Sequence, residues 1–513
     1  MSRIENSAKN ITFTLGNNIL TSLLGIISRT VFIATLGSDY LGLAGLLTNI
    51  LGFLSISELG IATAIGFSLY RPLAEHDYDT VSSLMSIYRR AYRVIAAIVF
   101  VCGIGLFFFL DFFIPVEQQP PETDFAYFAF LISTVSGYLF SYKTTLINSD
   151  NQAYRIASIQ MAASVIQTVL QIIVLLLFKS YVVYLVAHIG CSIVSMLVQN
   201  RFITKMYAQV NFYCRDKLSK TMQTELERNI GGLIIGKIGD YLINSTDNLI
   251  ITKLVSLTAT GIYSNYLLIR NMVNGYISTI FSGIAASMGN VVAVESDERK
   301  LEIFDTLMFC AFFVYSFEAV CFFCLFNPFI GDIWLGKEYL FDSFTVFIIV
   351  INNYLTGLRM PLITMKGAAG KYMEDAWIPF AFAGINLISS IILVKYIGVA
   401  GVFLGTIIGS LLTADWYRPI VIYRSVFHAP IRKYFSRYLL YVILGLGYMA
   451  GAYGLCSLVN TPFVFVNFVL KCIIAVCVPV LLNVVLFYRT AEIIRLAGRF
   501  VKKVISKVRN TNE

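Results

Sequence analysis

The chain has 513 residues, 57% of them hydrophobic and only 13% charged, whereas a soluble domain carries about 25% charged residues. With a mean hydropathy of +0.74, this excludes a soluble globular protein, and long unbroken apolar runs exclude a β-barrel, whose strands alternate. What remains is an all-α polytopic membrane protein, in which a net charge of +9 placed in loops and tail implies no nucleic acid.

No short, positively flanked segment with a small-residue cleavage site opens the chain, so the first span is expected to act as the insertion signal. Apolar segments follow at roughly 11–36, 41–70, 92–114, 125–147, 156–178, 181–202, 229–254, 261–292, 303–330, 342–364, 376–396, 398–420, 439–459 and 463–488. That predicts about 14 transmembrane helices, each near the roughly 20 residues a bilayer needs. With the N-terminus inside, the cytoplasmic loops collect nearly all Lys and Arg, among them Arg89, Arg90, Arg201, Lys205, Arg299, Lys300, Arg432 and Lys433. The outer loops keep only Lys179, Lys253, Lys337 and Lys395, which sets the orientation with both termini cytoplasmic.

The 203–228 loop divides the spans into six before and eight after. Thr35 to Leu47 (TLGSDYLGLAGLL) is echoed by Leu254 to Tyr266 (LVSLTATGIYSNY) at an offset of about 219, with Gly42 over Gly261. The echo predicts two parallel repeats. The expected organisation is a six-helix lobe over 1–202, a linker over 203–228, a second six-helix lobe over 229–425, two further helices over 426–490 and a basic tail over 491–513.

The 229–254 span is unlike the others. Lys237, Asp240, Asn244, Asp247 and Asn248 share one helical face. Three mid-bilayer charges cost roughly 8 to 10 kcal/mol, and its eleven Ile and Leu residues return only about 5. Neighbouring helices, charge partners or a water-filled cavity must supply the rest. A helix lying on the membrane surface would invert every later loop and put the basic tail outside, so the segment is read as spanning.

Arg29, Glu58, Arg270, Arg359 and Glu318 also fall inside apolar spans. At about 1.5 Å per residue they form two layers: Arg29, Asp247 and Arg270 nearer the outside, and Glu58, Asp240, Lys237 and Arg359 deeper. Such charges line a central cavity, pair structurally to fix helix register, or snorkel to the interface. The nine Cys residues are scattered, with Cys321 and Cys324 in a buried-helix context, and His76, His188 and His428 stand far apart. No phosphate loop, nucleophile elbow or zinc spacing occurs, so neither an enzyme nor a metal or organic cofactor is expected.

The run LGSDYLGLAGLLTNILGFLSISELGIATAIGFSLYRPLAEHD (Leu36 to Asp77) and the region from Asn244 to Ile269, NSTDNLII…GIYSNYLLI, resemble polysaccharide exporters of the Wzx type. These O-antigen and capsule repeat-unit flippases belong to the multidrug/oligosaccharidyl-lipid/polysaccharide superfamily. The resemblance covers nearly the whole chain and implies a MATE-like fold of two six-helix lobes plus two C-terminal helices. It implies translocation of undecaprenyl-diphosphate-linked oligosaccharide across the bacterial cytoplasmic membrane by alternating access. It further implies partners among membrane lipids and the polymerase and glycosyltransferases of surface polysaccharide synthesis.

On that reading Arg29, Lys237, Arg270 and Arg359 are expected to bind the diphosphate. Glu58, Asp240 and Asp247 are expected to couple H⁺ or Na⁺ or to pair with the bases, and Asn244 and Asn248 to line the cavity. A cation-coupled multidrug antiporter of the same fold is the alternative. It should be rich in cavity acids, whereas here the bases at least balance them.

Overall fold

A computed structural model describes residues 3–54, 61–150, 152–214, 246–371 and 374–488. Among these residues there are helices and turns but no strand. The helices are α1 (Arg3–Leu36), α2 (Ser38–Leu54), α3 (Ile61–Glu75), α4 (Tyr78–Phe107), α5 (Thr123–Ser149), α6 (Tyr154–Phe178), α7 (Tyr181–Met206) and α8 (Leu257–Val294). There follow α9 (Asp297–Asn327), α10 (Ser343–Leu358), α11 (Met360–Ala368), α12 (Ile378–Ile397), α13 (Val399–Leu412), α14 (Ala414–Ile422), α15 (Arg432–Leu458) and α16 (Val464–Phe487).

The chain is an all-α, polytopic membrane protein. Eleven of its described helical segments are long and apolar enough to cross a bilayer. The expected 41–70 span is made by α2 and α3, and the 261–292 span by α8. The 229–254 span lies mostly outside the described residues, which show helix there only over 246–254.

Hydropathy misplaces one start. The third span was expected from 92, yet α4 begins at Tyr78, because Asp77 caps it by accepting from the Thr80 amide (3.1 Å) and hydroxyl (2.6 Å). Those two bonds hold the Asp77 carboxyl below its ordinary range, as bonds to the charged form do. Arg89, Arg90 and Arg93 then ride on a helix that an apolar window cannot see.

By packing, the chain falls into two compact units, one of residues 1–279 with 376–402 and one of 280–375 with 403–513. In the first, α6 packs along both α1 and α7, and α5 along α4 and α7. Its buried core runs through Leu43, Leu46, Leu47, Leu84, Tyr127 and Leu146. In the second, α9 is the central helix, flanked by α10, α15 and α16. Phe312 of α9 stacks on Tyr441 of α15 at 4.3 Å, and the Tyr354 hydroxyl of α10 donates to the Tyr441 carbonyl at 2.6 Å.

The sequence echo becomes a contact. The Thr258 hydroxyl donates to Asp39 at 2.7 Å, and these positions differ by the offset of the two repeats. One turn further on, Gly42 lies against the Leu257 carbonyl and Gly261 against the Ser38 carbonyl, and a Cβ at either would overlap that oxygen. Helices α2 and α8 thus cross at corresponding glycines, the close approach small residues allow in membranes. Gly42→Val and Gly261→Val should each lower the thermal midpoint of the detergent-solubilised protein, the overlap costing about 1–3 kcal/mol or more. Gly45→Val is the control, because the nearest atom to a Cβ there is the Asn248 amide nitrogen at 3.9 Å.

Candidate functional site

Helix α1 has two faces. Ile19, Leu23 and Ile27 are each more than half exposed, an i, i+4, i+8 stripe suited to lipid. The other face carries Thr21, Gly25, Ser28 and Arg29 into a cavity of about 310 Å³, shared with Ser164, Gln167 and Gln171 of α6 and Tyr184 of α7. Gly25 keeps α1 close to α8, with Leu268 at 3.8 Å from where its Cβ would be.

The Arg29 guanidinium is held by neutral groups. It donates to the Ser264 hydroxyl at 2.6 Å and to the Asn265 carbonyl oxygen at 3.1 Å, both on α8, and Asn265 is fully buried. Among the described residues no carboxylate lines the cavity. Ser and Asn orient a cation without neutralising it, so the cavity wall keeps a positive charge. In a low-dielectric setting an unneutralised cation is strongly attractive to an anion.

Opposite Arg29, the Nε2 atoms of Gln167 and Gln171 reach the Nδ1 of His188 at 2.7 and 2.8 Å, and His188 stacks with Tyr184. Sequence reading set His188 aside for want of a second histidine, and it missed the glutamines altogether. The available signal was periodicity: Gln160, Ser164, Gln167 and Gln171 recur every three or four residues in a largely apolar helix.

Asp247, on the 246–254 helix, and Arg270, on α8, both lie near Tyr263 of α8. Tyr263 and Arg270, seven residues apart, share a face of α8 other than the one carrying Ser264 and Asn265. The outer layer expected from the sequence therefore divides into an Arg29 site and a group around Tyr263, to which α8 contributes Arg270 and the 246–254 helix Asp247. Asn248 lies next to Gly45 of α2. Glu58, Lys237, Asp240 and Asn244 lie outside the described residues.

Arg359 belongs to the second unit and is buried there. It sits at the break between α10 and α11, where Pro361 starts a new helix. Its guanidinium pairs with Asp415 at 3.1 Å and also donates to Ser410 and Thr356. Asp415 in turn follows the break between α13 and α14 at Thr413. One ion pair thus joins two interrupted helices and satisfies polar groups their breaks leave open. Glu318 accepts from the Asn353 amide at 3.1 Å. Asp375, almost wholly buried, pairs with both Lys366 and Arg418. Among the described residues no cluster of His, Cys, Asp and Glu could hold a metal ion.

Residues 7–285 match the family model described as polysaccharide biosynthesis protein, more than half of the chain. The chain belongs to that family. The matched region contains Arg29, Asp247 and Arg270. No curated protein sequence matches the chain.

Solved structures share its fold. The lipid II flippase MurJ, in an inward closed conformation, is similar with a TM-score of 0.62 and 16% identity, over 93% of this chain and 99% of MurJ. A mutant form of the MATE transporter VcmN from Vibrio cholerae gives 0.58 and 13%, over 84% and 99%. A MOP superfamily transporter from Pyrococcus furiosus gives 0.52 and 13%, over 88% and 96%, and its binding pocket is described as of reverse polarity, suggesting a different function. At these identities the likeness is one of fold. Family and fold together make the chain a polysaccharide biosynthesis protein with the fold that multi-pass transporters and a lipid flippase share.

Proposed function

We propose that this family member translocates an undecaprenyl-diphosphate-linked oligosaccharide across the bacterial cytoplasmic membrane for surface polysaccharide synthesis, as Wzx-type flippases do, by transport and not by enzymatic catalysis. The observation that carries this is Arg29, a cation that Ser264 and Asn265 hold in a cavity with no acid among its described lining residues. A diphosphate supplies the missing counter-charge, and guanidinium–phosphate contacts are short, paired and strong. A hydrophilic glycan cannot cross hydrocarbon unaided; a polar cavity shelters it while the polyprenyl chain stays in lipid.

Arg270, which like Asp247 lies near Tyr263, is the second candidate for the headgroup, with Lys237 from the 229–254 stripe. Asp247 is also the candidate for H⁺ or Na⁺ coupling, together with Glu58 and Asp240. Arg359 we assign to holding the two broken helices together, since its charge is already met by Asp415. The α2–α8 crossing at Gly42 and Gly261 is assigned to closing the outer side during the cycle, with both termini cytoplasmic. The polymerase and glycosyltransferases of the same route are the expected partners.

Proteoliposomes containing the full-length chain and a lipid-linked oligosaccharide test the proposal. The glycan should become accessible to an impermeant glycosidase on the far leaflet only when the protein is present. A multidrug antiporter would instead leave the glycan inaccessible and move small cationic dyes against a cation gradient.

A further inference from the structure

A second cavity, of about 460 Å³, lies in the same unit between the Ser149 end of α5, the Tyr154 end of α6 and the Met206 end of α7. Its volume is within the roughly 300–1,000 Å³ of small-molecule sites. Among the described residues its polar lining is entirely uncharged: Thr144 and Asn148 from α5, Gln160 from α6, and Gln199 and Asn200 from α7, with Phe140 as an aromatic wall. Gln160 donates to Gln199 at 3.3 Å and Gln199 to Ser195 at 3.0 Å. Each amide has two N–H donors and a carbonyl acceptor, so these two bonds leave further hydrogen-bonding capacity on the wall. Four side-chain amides around one space is an arrangement that an apolar ligand would leave unsatisfied.

We propose that this cavity is a subsite for neutral sugar rings, hexose or N-acetylhexosamine, of the lipid-linked glycan. The inference rests on the flippase reading above. An amide presents donor and acceptor in one plane and can bridge neighbouring hydroxyls, and the Phe140 ring offers an apolar surface to the C–H face of a sugar. An uncharged lining selects against acidic sugars. Polar side chains of two helices run between the two cavities. On α6, Gln160 leads through Ser164 to Gln167 and Gln171 at the Arg29 cavity, about 16 Å along the helix. On α7, Gln199 and Ser195 lead through Ser192 to His188. A single molecule with a diphosphate at one end and sugars at the other can therefore reach both.

Binding to the full-length protein in nanodiscs is the test, with two probes: undecaprenyl diphosphate alone, and the same lipid bearing one N-acetylglucosamine. The native protein should bind the sugar-bearing lipid about tenfold more tightly, the scale of one or two net hydrogen bonds. Q160L/Q199L should remove that preference while binding the bare lipid as the native protein does. Phe140→Ala, which deletes the platform and touches no amide, should reduce the preference as well. Arg29→Ala should weaken both lipids and keep the ratio between them. A native protein that binds both lipids equally, or variants that keep the full preference, would overturn the subsite and leave the flippase reading standing. A native protein that binds neither lipid would overturn both.

Discussion

Replacing Arg29 by Ala should lower translocation of lipid-linked oligosaccharide at least about tenfold, the scale of one lost charge-assisted contact, without unfolding the protein. The protein should tolerate the change because Arg29's partners are the neutral Ser264 and Asn265. Losing the cation therefore strands no buried carboxylate. Arg29→Lys should recover only part of the activity, because an ammonium supplies the charge but not the planar fork. Cellular surface polysaccharide and the size-exclusion profile of the purified variant give the two readouts. Unchanged polysaccharide from a well-folded Arg29→Ala variant would remove Arg29 from the site.

Asp415→Ala should act in the opposite way, destroying the fold with no direct effect on recognition. Asp415 and Arg359 are both buried and 3.1 Å apart. Deleting the carboxylate leaves a guanidinium uncompensated among the broken ends of four helices. Such a loss costs about 3–5 kcal/mol, comparable to the whole stability of many domains, which is about 5–15. R359M/D415L, which removes both charges, should be less destabilised than Asp415→Ala alone. Thermal unfolding of the two variants checks this ordering. A stable Asp415→Ala protein would return Arg359 to the headgroup set, where the sequence alone had placed it.

The comparison of Arg29 with Arg359 shows where sequence reading stops. Both are arginines inside apolar spans, and the sequence assigns both to the headgroup although it puts them at different depths. What separates them is the partner: Ser and Asn for one, Asp415 for the other. That partner is 56 positions away for Arg359 and 235 or 236 for Arg29, and no local pattern encodes it. The spans themselves were legible because hydrophobic length is a local property. The pairing of Gly42 with Gly261 was legible too, since the close backbone approach of α2 and α8 leaves no room for a Cβ at either. The start of α4 was hidden because a cap at Asp77 adds almost nothing to a hydropathy window. His188 was hidden because its partners are the glutamines of a neighbouring helix, a pairing that exists only after α6 and α7 pack.

Thiol labelling at Ser28 tests most directly whether the Arg29 face of α1 is wet and receives an anionic headgroup. The nine native cysteines are first replaced, and Ser28→Cys is compared with Ile27→Cys on the opposite, lipid-suited face. A charged, membrane-impermeant thiol reagent should modify position 28 and not position 27, and undecaprenyl diphosphate should protect position 28. Equal labelling at the two positions, or labelling at 28 that the lipid diphosphate does not slow, would contradict a cationic aqueous cavity at Arg29.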